Sequence, residues 1–214
     1  MILTVGGIKG GSGKTTIATH LAILSAAHGK DVLLIDADDQ ETASDFTLLR
    51  TEHLGDNTGY TSIKLTGSAV RSEGTKLNRK YDVVVIDTGG RDTSSQRAAM
   101  SIASVMLVPF VPRSFDIWTL EKISGLVDEM RQINPNLKAH SFLNKADAKG
   151  NDNKDAETIL RKNTTLAFME TPIGARKAFS NAAASGLAVT ELKPQDDKAS
   201  AEITALYRRV FDVK

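Results

Sequence analysis

The chain has 214 residues, with 27 Lys or Arg against 26 Asp or Glu. This length suits one well-buried domain, which we expect to span residues 1–214. The near-neutral charge confines any binding to nucleic acid to a local patch. The absence of cysteine excludes disulfides, thiolate metal sites and cysteine nucleophiles. The histidines show no metal-ligand spacing, so we expect surface or helix-face positions for all four: His20, His28, His53 and His140.

Strand-like and helix-like segments alternate along the chain. Apolar runs predict buried strands at residues 2–5, 32–35, 83–86 and 105–112, KAHSFLNKAD predicts a strand with its exit loop within residues 138–147, and SIKLTG predicts a short strand. Helical spacing predicts helices at residues 14–24, 68–79, 116–133, 155–162, 174–184 and 197–211. The polar stretch 51–62 predicts a loop. We therefore predict an α/β fold: a single-domain, three-layer sandwich with a mostly parallel twisted sheet and helices on both faces.

The predicted helix 116–133 carries its apolar residues on one face. That face consists of Ile117, Leu120, Ile123, Leu126, Val127 and Met130. We expect it to pack against the sheet.

The segment KGGSGKTT, residues 9–16, joins the first strand to the first helix. Its glycines permit a turn in which successive backbone N–H groups face one anion, and the following helix adds the positive end of its dipole. We therefore predict a cradle for nucleotide phosphates, formed by Gly10, Gly11, Ser12, Gly13, Lys14, Thr15 and Thr16. The strict phosphate-loop pattern fails at one position, because Ile8 stands where it requires glycine.

Acidic residues follow two of the predicted strands. Because a nucleoside triphosphate binds with Mg²⁺, which prefers oxygen ligands, we predict a metal site formed by the Thr15 hydroxyl and Asp87. In IDADDQ we place Asp36 near the magnesium shell and Asp38 on the attacking water, as phosphoryl transfer requires. The mutual repulsion of the acids in IDADDQ must be relieved by a metal, a lysine or water.

Four segments, KGGSGKTT, VLLIDADDQ, YDVVVIDTGG and VPFVPRSFD, resemble the ParA/MinD family of ATPases with a deviant Walker A motif, most of all the short ParA partition proteins. This resemblance implies that the protein binds and hydrolyses ATP with Mg²⁺, and that ATP closes a homodimer. It also implies that Lys9 reaches the nucleotide of the partner subunit, alongside Lys14 and Asp38 as catalytic residues. The family usually has Pro where this chain has Asp39.

The loop TGGRD, residues 88–92, corresponds to the second switch of that family. Gly89 or Gly90 is placed to donate a backbone N–H to the γ-phosphate, and we favour Gly90. Arg91 is either a sensor of that phosphate or a surface arginine.

The base is the least defined part of the predicted nucleotide site. Asn144, Lys145 and Asp147 form Asn-Lys-x-Asp, which is the guanine-reading pattern of many GTPases. ParA-like proteins also commonly have Asn at this position near adenine, so we predict that Asn144 contacts adenine and that ATP is preferred over GTP.

Two pairs of basic residues near the C-terminus fit the sequence-independent DNA surface of the family: Arg176 with Lys177, and Arg208 with Arg209. A solvated helix face would also explain them. The resemblance further implies a ParB-like centromere-binding protein or a cargo adaptor as partner.

The sequence also argues against a membrane partner. No apolar run approaches the roughly 20 residues that span a bilayer, and after the last predicted helix the chain reaches Lys214 without a basic amphipathic tail. We expect a cytoplasmic protein that associates with the nucleoid when ATP is bound.

Two hypotheses about function follow. In the first, the protein is an ATP-driven switch that positions a plasmid or other cargo on DNA. In the second, it is a metabolic or maturation enzyme on the same scaffold that uses ATP or GTP.

Overall fold

The computed structural model of the protein describes residues 1–149 and 151–211. Residues 212–214, which end the stretch where we expect no membrane anchor, lie outside the described residues. The strands are β1 (Ile2–Val5), β2 (Val32–Ala37), β3 (Thr61–Lys64), β4 (Val83–Thr88), β5 (Val105–Phe110), β6 (Lys138–Ala146), β7 (Ala167–Phe168) and β8 (Ile173–Gly174).

The helices alternate with these strands. They are α1 (Lys14–Ala27), α2 (Thr42–Leu54), α3 (Ala69–Leu77), α4 (Ser94–Ile102), α5 (Ile117–Arg131), α6 (Asp152–Lys162), α7 (Lys177–Ala183) and α8 (Asp197–Phe211). Short 3₁₀ turns lie at Pro112–Ser114 and Val189–Glu191.

The strands form one sheet in the order β3-β2-β4-β1-β5-β6-β7, with β8 added beside the end of β6. Every strand pairing within the described residues is parallel. The carboxyl ends of β1, β2 and β4 therefore meet at one edge, because Val5 pairs with Asp87 and Asp36 also pairs with Asp87. Parallel sheets of this kind bind ligands at that edge.

Two apolar cores cover the two faces of the sheet. One contains side chains of α1, α2, α7 and α8, and the other contains side chains of α3, α4, α5 and α6. Successive strand residues alternate between the cores: Leu34 and Val85 belong to the first, whereas Leu33 and Val84 belong to the second. The prediction of a three-layer α/β sandwich is confirmed.

Three local predictions differ from the structure. The stretch 51–62 begins inside α2, which ends at Leu54, and neither α2 nor α4 is among the predicted helices. Ile117 is half exposed, whereas the other five residues of its predicted face are buried. It is the first residue of α5, and so it lies one turn before the buried stripe that starts at Leu120.

The expectation of a surface or helix-face position is wrong for His20, which is fully buried. Its Nδ1 donates to the Thr16 carbonyl (2.7 Å) and its Nε2 accepts from the Val189 N–H (3.1 Å), so both contacts require the neutral ring. Burial lowers the pKa of His20 to about 4, against opposing effects of Thr16 and Glu191. His28 and His53 are exposed.

We expect the free energy of unfolding to fall as the pH drops below the ordinary histidine pKa of 6.5, because the unfolded chain then takes up a proton that folded His20 excludes until about pH 4. Between pH 7 and pH 5 this amounts to about 2 kcal/mol at about 1.4 kcal/mol per pH unit. Urea unfolding at both pH values should therefore show a pH-dependent loss about 2 kcal/mol smaller in His20→Gln than in the parent. Equal losses in the two proteins would contradict the assignment.

Candidate functional site

The predicted phosphate cradle lies at the carboxyl edge of the sheet, beside an open cleft of about 690 Å³. The cleft is lined by three loops, which are the loop from β1 to α1, the loop after β2 and the loop after β4, and by Lys145 of β6. The lining residues are Gly10, Gly11, Gly13, Lys14, Thr15, Thr16, Asp38, Asp39, Gln40, Thr42, Gly89, Gly90, Arg91, Thr93 and Lys145. The structure thus brings together segments that are up to 134 residues apart in the chain.

Side chains hold the backbone carbonyls of the β1–α1 loop. Lys14 Nζ donates to the Lys9 carbonyl (3.0 Å), Lys145 Nζ to the Gly11 carbonyl (2.8 Å) and Asn144 Nδ2 to the Ser12 carbonyl (2.7 Å). In a trans peptide the C=O of one residue and the N–H of the next point in opposite directions. Each carbonyl that is held by a side chain therefore directs the N–H of the following residue away from that side chain. An anion site needs that arrangement.

Two positions of the loop require glycine. Gly11 and Gly13 have φ values of +72° and +86°, which side chains disfavour. A Cβ on Gly13 would also lie 2.3 Å from Asn144 Nδ2. Helix α1 then begins at Lys14, directly after Gly13.

Lys14 is buried at the floor of the cleft. Burial lowers its pKa, while the carboxylates of Asp87 and Asp38 act in the opposite direction. The two acids therefore help to keep the ammonium charged where an anionic phosphate would meet it.

Asp36 is buried, and its carboxylate accepts hydrogen bonds from the first turn of α2. Its Oδ2 accepts from both the N–H (2.8 Å) and the hydroxyl (2.7 Å) of Ser44, and its Oδ1 accepts from the Asp38 N–H (3.1 Å). Contact of Asp36 with the metal shell stays a prediction, since each carboxylate oxygen has capacity for a further partner.

Asp87 differs from Asp36, because neither of its buried oxygens accepts a hydrogen bond of regular geometry from the described residues. Burial raises the pKa of Asp87 to about 7, although the neighbouring Thr15 hydroxyl and Lys14 act against this shift. Unpartnered carboxylate oxygens beside a hydroxyl oxygen are ligands that a hard cation prefers. The residues Thr15 and Asp87 therefore fit Mg²⁺.

The loop after β4 closely approaches both the cradle and the loop after β2. A Cβ on Gly90 would lie 2.8 Å from the Gly10 nitrogen, and one on Gly89 would lie 2.9 Å from Asp38 Oδ1. Both glycines permit this contact between the loop after β4 and the other two loops. Arg91 is exposed and lines the cleft, which leaves both of its predicted roles open.

Lys9 directly precedes Gly10, which lines the cleft. Its Nζ is 3.3 Å from Asp116 Oδ2, and Asp116 also caps α5 by accepting from the Thr119 N–H. Both members of this ion pair are exposed enough for the contact to be exchanged for another partner.

A second cleft, of about 600 Å³, continues from the first past Gly13, Thr16 and Lys145. Asn144 lines it, as does the half-buried Phe179. Asp147, the guanine-reading position of Asn-Lys-x-Asp, lines neither cleft, and its Oδ2 accepts from Arg113 Nε at 2.6 Å.

The four candidate DNA-binding residues fall into two environments. Arg208 and Arg209 are exposed in the last turn of α8. Arg176 directly precedes α7 and forms hydrogen bonds to both carboxylate oxygens of Glu202, whereas Lys177 is exposed. Part of the charge of Arg176 is thus neutralised within the chain.

The described part of the chain contains no cluster of three or more His, Cys, Asp or Glu that could hold a metal ion by itself. None of the helices in residues 1–149 and 151–211 is long and apolar enough to cross a membrane.

The family model of the CobQ/CobB/MinD/ParA nucleotide binding domain matches residues 3–189, which is most of the chain. The chain belongs to this family. The predicted resemblance to ParA and MinD proteins is therefore confirmed, and nucleotide binding is the family's shared property.

Two proteins of known role resemble the chain in sequence. The maintenance of carboxysome distribution protein A of Halothiobacillus neapolitanus is 24% identical over 211 residues, which cover 98% of this chain and 95% of that protein. Protein IncC of Escherichia coli is 26% identical over 239 residues, which cover 95% of this chain and 66% of IncC.

Solved structures share the fold. An ATP complex of Cyanothece McdA superposes with a TM-score of 0.81 at 17% identity, covering 100% of this chain and 96% of that one. Cobyrinic acid a,c-diamide synthase from Mycobacterium smegmatis, with an ATP analog and magnesium, gives 0.78 at 21% identity, with 97% and 94% covered.

Two residues that build the site are not among the predicted site residues. Ser44 binds Asp36 from the unpredicted helix α2, and Gln96 of the unpredicted α4 accepts from both the Gly7 N–H and the Thr88 hydroxyl at 3.2 Å. A serine or glutamine among other polar residues carries no local signal of such a role. The lysine of Asn-Lys-x-Asp was visible, but its contact with Gly11 was not.

We expect Gly90→Ala to lower the free energy of unfolding by about 1–3 kcal/mol, because its methyl group must push the loop after β4 away from Gly10. Urea unfolding measures the change. The matched control is Gly125→Ala in α5, where nothing lies within 4 Å of the new Cβ, and where alanine should stabilise by up to about 1 kcal/mol. Equal effects of the two substitutions would refute the close approach of the loops.

Proposed function

We propose that the protein is a ParA-type ATPase that binds ATP with Mg²⁺, closes a homodimer, binds DNA without sequence preference and positions a cargo. The observation that carries this proposal is a cleft lined by Lys14, Thr15 and Asp38. The buried carboxylate of Asp87 lies beside Lys14 and Thr15 and has no hydrogen-bond partner of regular geometry among the described residues. The names of the curated relatives, a carboxysome-distribution protein and IncC, support a role in positioning or partition.

ATP is the nucleotide that the site favours. The phosphates would lie in the first cleft, on the N–H groups of residues 10–16 and the Lys14 ammonium, and the base in the second cleft next to Asn144. The ion pair of Asp147 with Arg113 disfavours guanine reading, because the carboxylate is already engaged. Structures with this fold have been solved with ATP, AMPPNP or an ATP analog.

Hydrolysis requires a water held in line with the γ-phosphate. Asp38 is the acid that lines the cleft next to Gly89, and we assign it the orientation of that water. Thr15 and Asp87 would hold Mg²⁺, which when bound stabilises charge on the β- and γ-phosphates. Gly90 lines the same cleft, and we assign its N–H to the γ-phosphate.

Lys9 is assigned to the partner subunit's nucleotide. In the single chain it pairs with Asp116, and exposed pairs of this kind contribute little free energy. Loss of the pair with Asp116 would therefore cost little free energy when Lys9 reaches a partner's phosphates. A ParB-like protein or cargo adaptor would then stimulate hydrolysis and release of the dimer, which we place in the cytoplasm and on the nucleoid.

We expect Asp38→Asn to lower the kcat of ATP hydrolysis by about 100-fold or more while the affinity for ATP stays near that of the parent, since water is oriented only for the reaction. Steady-state phosphate release and binding of a fluorescent ATP analogue measure the two quantities. Asp39→Asn, one residue along the same loop, is the control and should retain activity. If Asp39→Asn lost activity and Asp38→Asn retained it, Asp39 would be the residue that orients the attacking water.

DNA binding should depend on ATP, ignore sequence and weaken steeply with salt. Each near-neutral monomer offers few cationic contacts, and dimerisation doubles them on one duplex. We expect the double variant Arg208→Ala, Arg209→Ala to bind random duplex DNA about tenfold more weakly, with a shallower salt dependence and unchanged ATP binding. Fluorescence anisotropy with a non-hydrolysable ATP analogue measures the affinity.

The matched control for this experiment removes Lys76 and Arg79, two exposed cations at the end of α3 on the other face of the sheet. It should bind DNA like the parent. A parent protein that dimerises with ATP but ignores duplex DNA at low salt would refute the positioning function.

That outcome would favour the second candidate, an ATP-dependent enzyme acting on a small substrate. The observation behind this candidate is the shared fold with cobyrinic acid a,c-diamide synthase.

A further inference from the structure

Four acids crowd the carboxyl end of β2, and one lysine of the neighbouring strand lies among them. Lys64 ends the edge strand β3, directly beside Asp36 in the strand register. Its Nζ forms an ion pair with Glu41. That hydrogen bond raises the pKa of Lys64, and the charges of Asp36 and Asp39 add to the effect. Lys64 is thus a cation that relieves the repulsion within IDADDQE.

Glu41, the partner of Lys64, has an unusual backbone. Its φ is +56°, in the left-handed region that residues other than glycine rarely adopt. It directly precedes α2, and its carbonyl accepts from the Asp45 N–H (2.9 Å). A contact that fixes the Glu41 side chain therefore also fixes where α2 begins.

The same residue closes the turn that carries Asp38. We call residues 38–41 the acidic turn. The Glu41 N–H donates to the Asp38 carbonyl (3.1 Å), and the Gln40 N–H donates to Asp38 Oδ1 (3.2 Å). Direct contacts thus run from Lys64 through Glu41 to the backbone carbonyl of Asp38, and the Gln40 N–H of the same turn holds the Asp38 carboxylate.

The ion pair is poorly explained as a source of stability. Both side chains are more than 40% exposed, and exposed pairs of this kind contribute little to folding. The contact restricts the geometry of the acidic turn instead, at the position where Asp38 faces the cleft.

We propose that Lys64 is a positioning residue for ATP hydrolysis, which acts by holding Glu41 and with it the acidic turn in the conformation that presents Asp38 to the attacking water. This inference rests on the proposed function, because it assumes the role assigned there to Asp38. It predicts that Lys64 affects turnover and leaves ATP binding unchanged.

The kinetic test compares five variants of the full chain with Mg-ATP. Lys64→Met should lower kcat about fivefold and change KM less than twofold, whereas Lys64→Arg, which can still pair with Glu41, should recover most of the activity. The swap Lys64→Glu with Glu41→Lys should be more active than Lys64→Glu alone. The control is Lys76→Met, which removes an exposed lysine paired with Glu73 in α3 and should retain the parent kcat.

A second measurement does not depend on ATPase activity. Hydrogen exchange at the Gln40 and Glu41 amides should be about fivefold faster in Lys64→Met than in the parent, and unchanged in Lys76→Met. Unchanged exchange in Lys64→Met overturns the proposal whether or not the protein hydrolyses ATP. Faster exchange with the parent kcat also overturns it, because the turn would then move without consequence for catalysis. A parent without ATPase activity refutes the proposed function and with it this role of Lys64.

Discussion

Three hydrogen bonds to backbone carbonyls hold residues 9–13, a glycine-rich turn, in one conformation, and the proposed phosphate site depends on that conformation. Glycine permits the turn but does not select it, since a glycine-rich segment has many conformations of similar energy. Asn144 and Lys145 select one conformation by binding the carbonyls of Ser12 and Gly11. The site therefore depends on β6, whose end lies beside the loop only because the strands are parallel and in this order.

Charge balance is the second constraint on the site. Lys14 and Asp87 are both buried, so that desolvation alone would disfavour the charged form of each, and the half-buried Asp38 lies near them. The acids favour the charged lysine, and the unpartnered oxygens of Asp87 are suited to a cation. A buried carboxylate with both oxygens unpartnered, as in Asp87, is a better indication of a metal than a cluster of acids, because the oxygens of Asp36 are already bound by Asp38 and Ser44.

The string Asn-Lys-x-Asp shows how one motif is used differently in different surroundings. Here Asn144 and Lys145 bind the phosphate loop, and Asp147 binds Arg113. The motif by itself is compatible with guanine recognition, but recognition requires the Asp carboxylate to be available at a base pocket. Asp147 is ion-paired with Arg113 and lies outside both clefts, so its carboxylate does not meet this requirement.

The sequence by itself determined the fold class, the buried strands and the location of the phosphate loop, because these depend on local periodicity and on glycine chemistry. It also carried the resemblance that the family match confirmed. It did not reveal α2, whose buried residues include Arg50, held by two hydrogen bonds to Glu191 at 2.8 Å. A charged side chain is expected in solvent, so its burial becomes visible only with its partner. The tertiary structure likewise decided the burial of His20, the contact of Lys145 with Gly11 and the place of Lys64 among the acids, because each depends on residues that are distant in the chain and meet only through the sheet order.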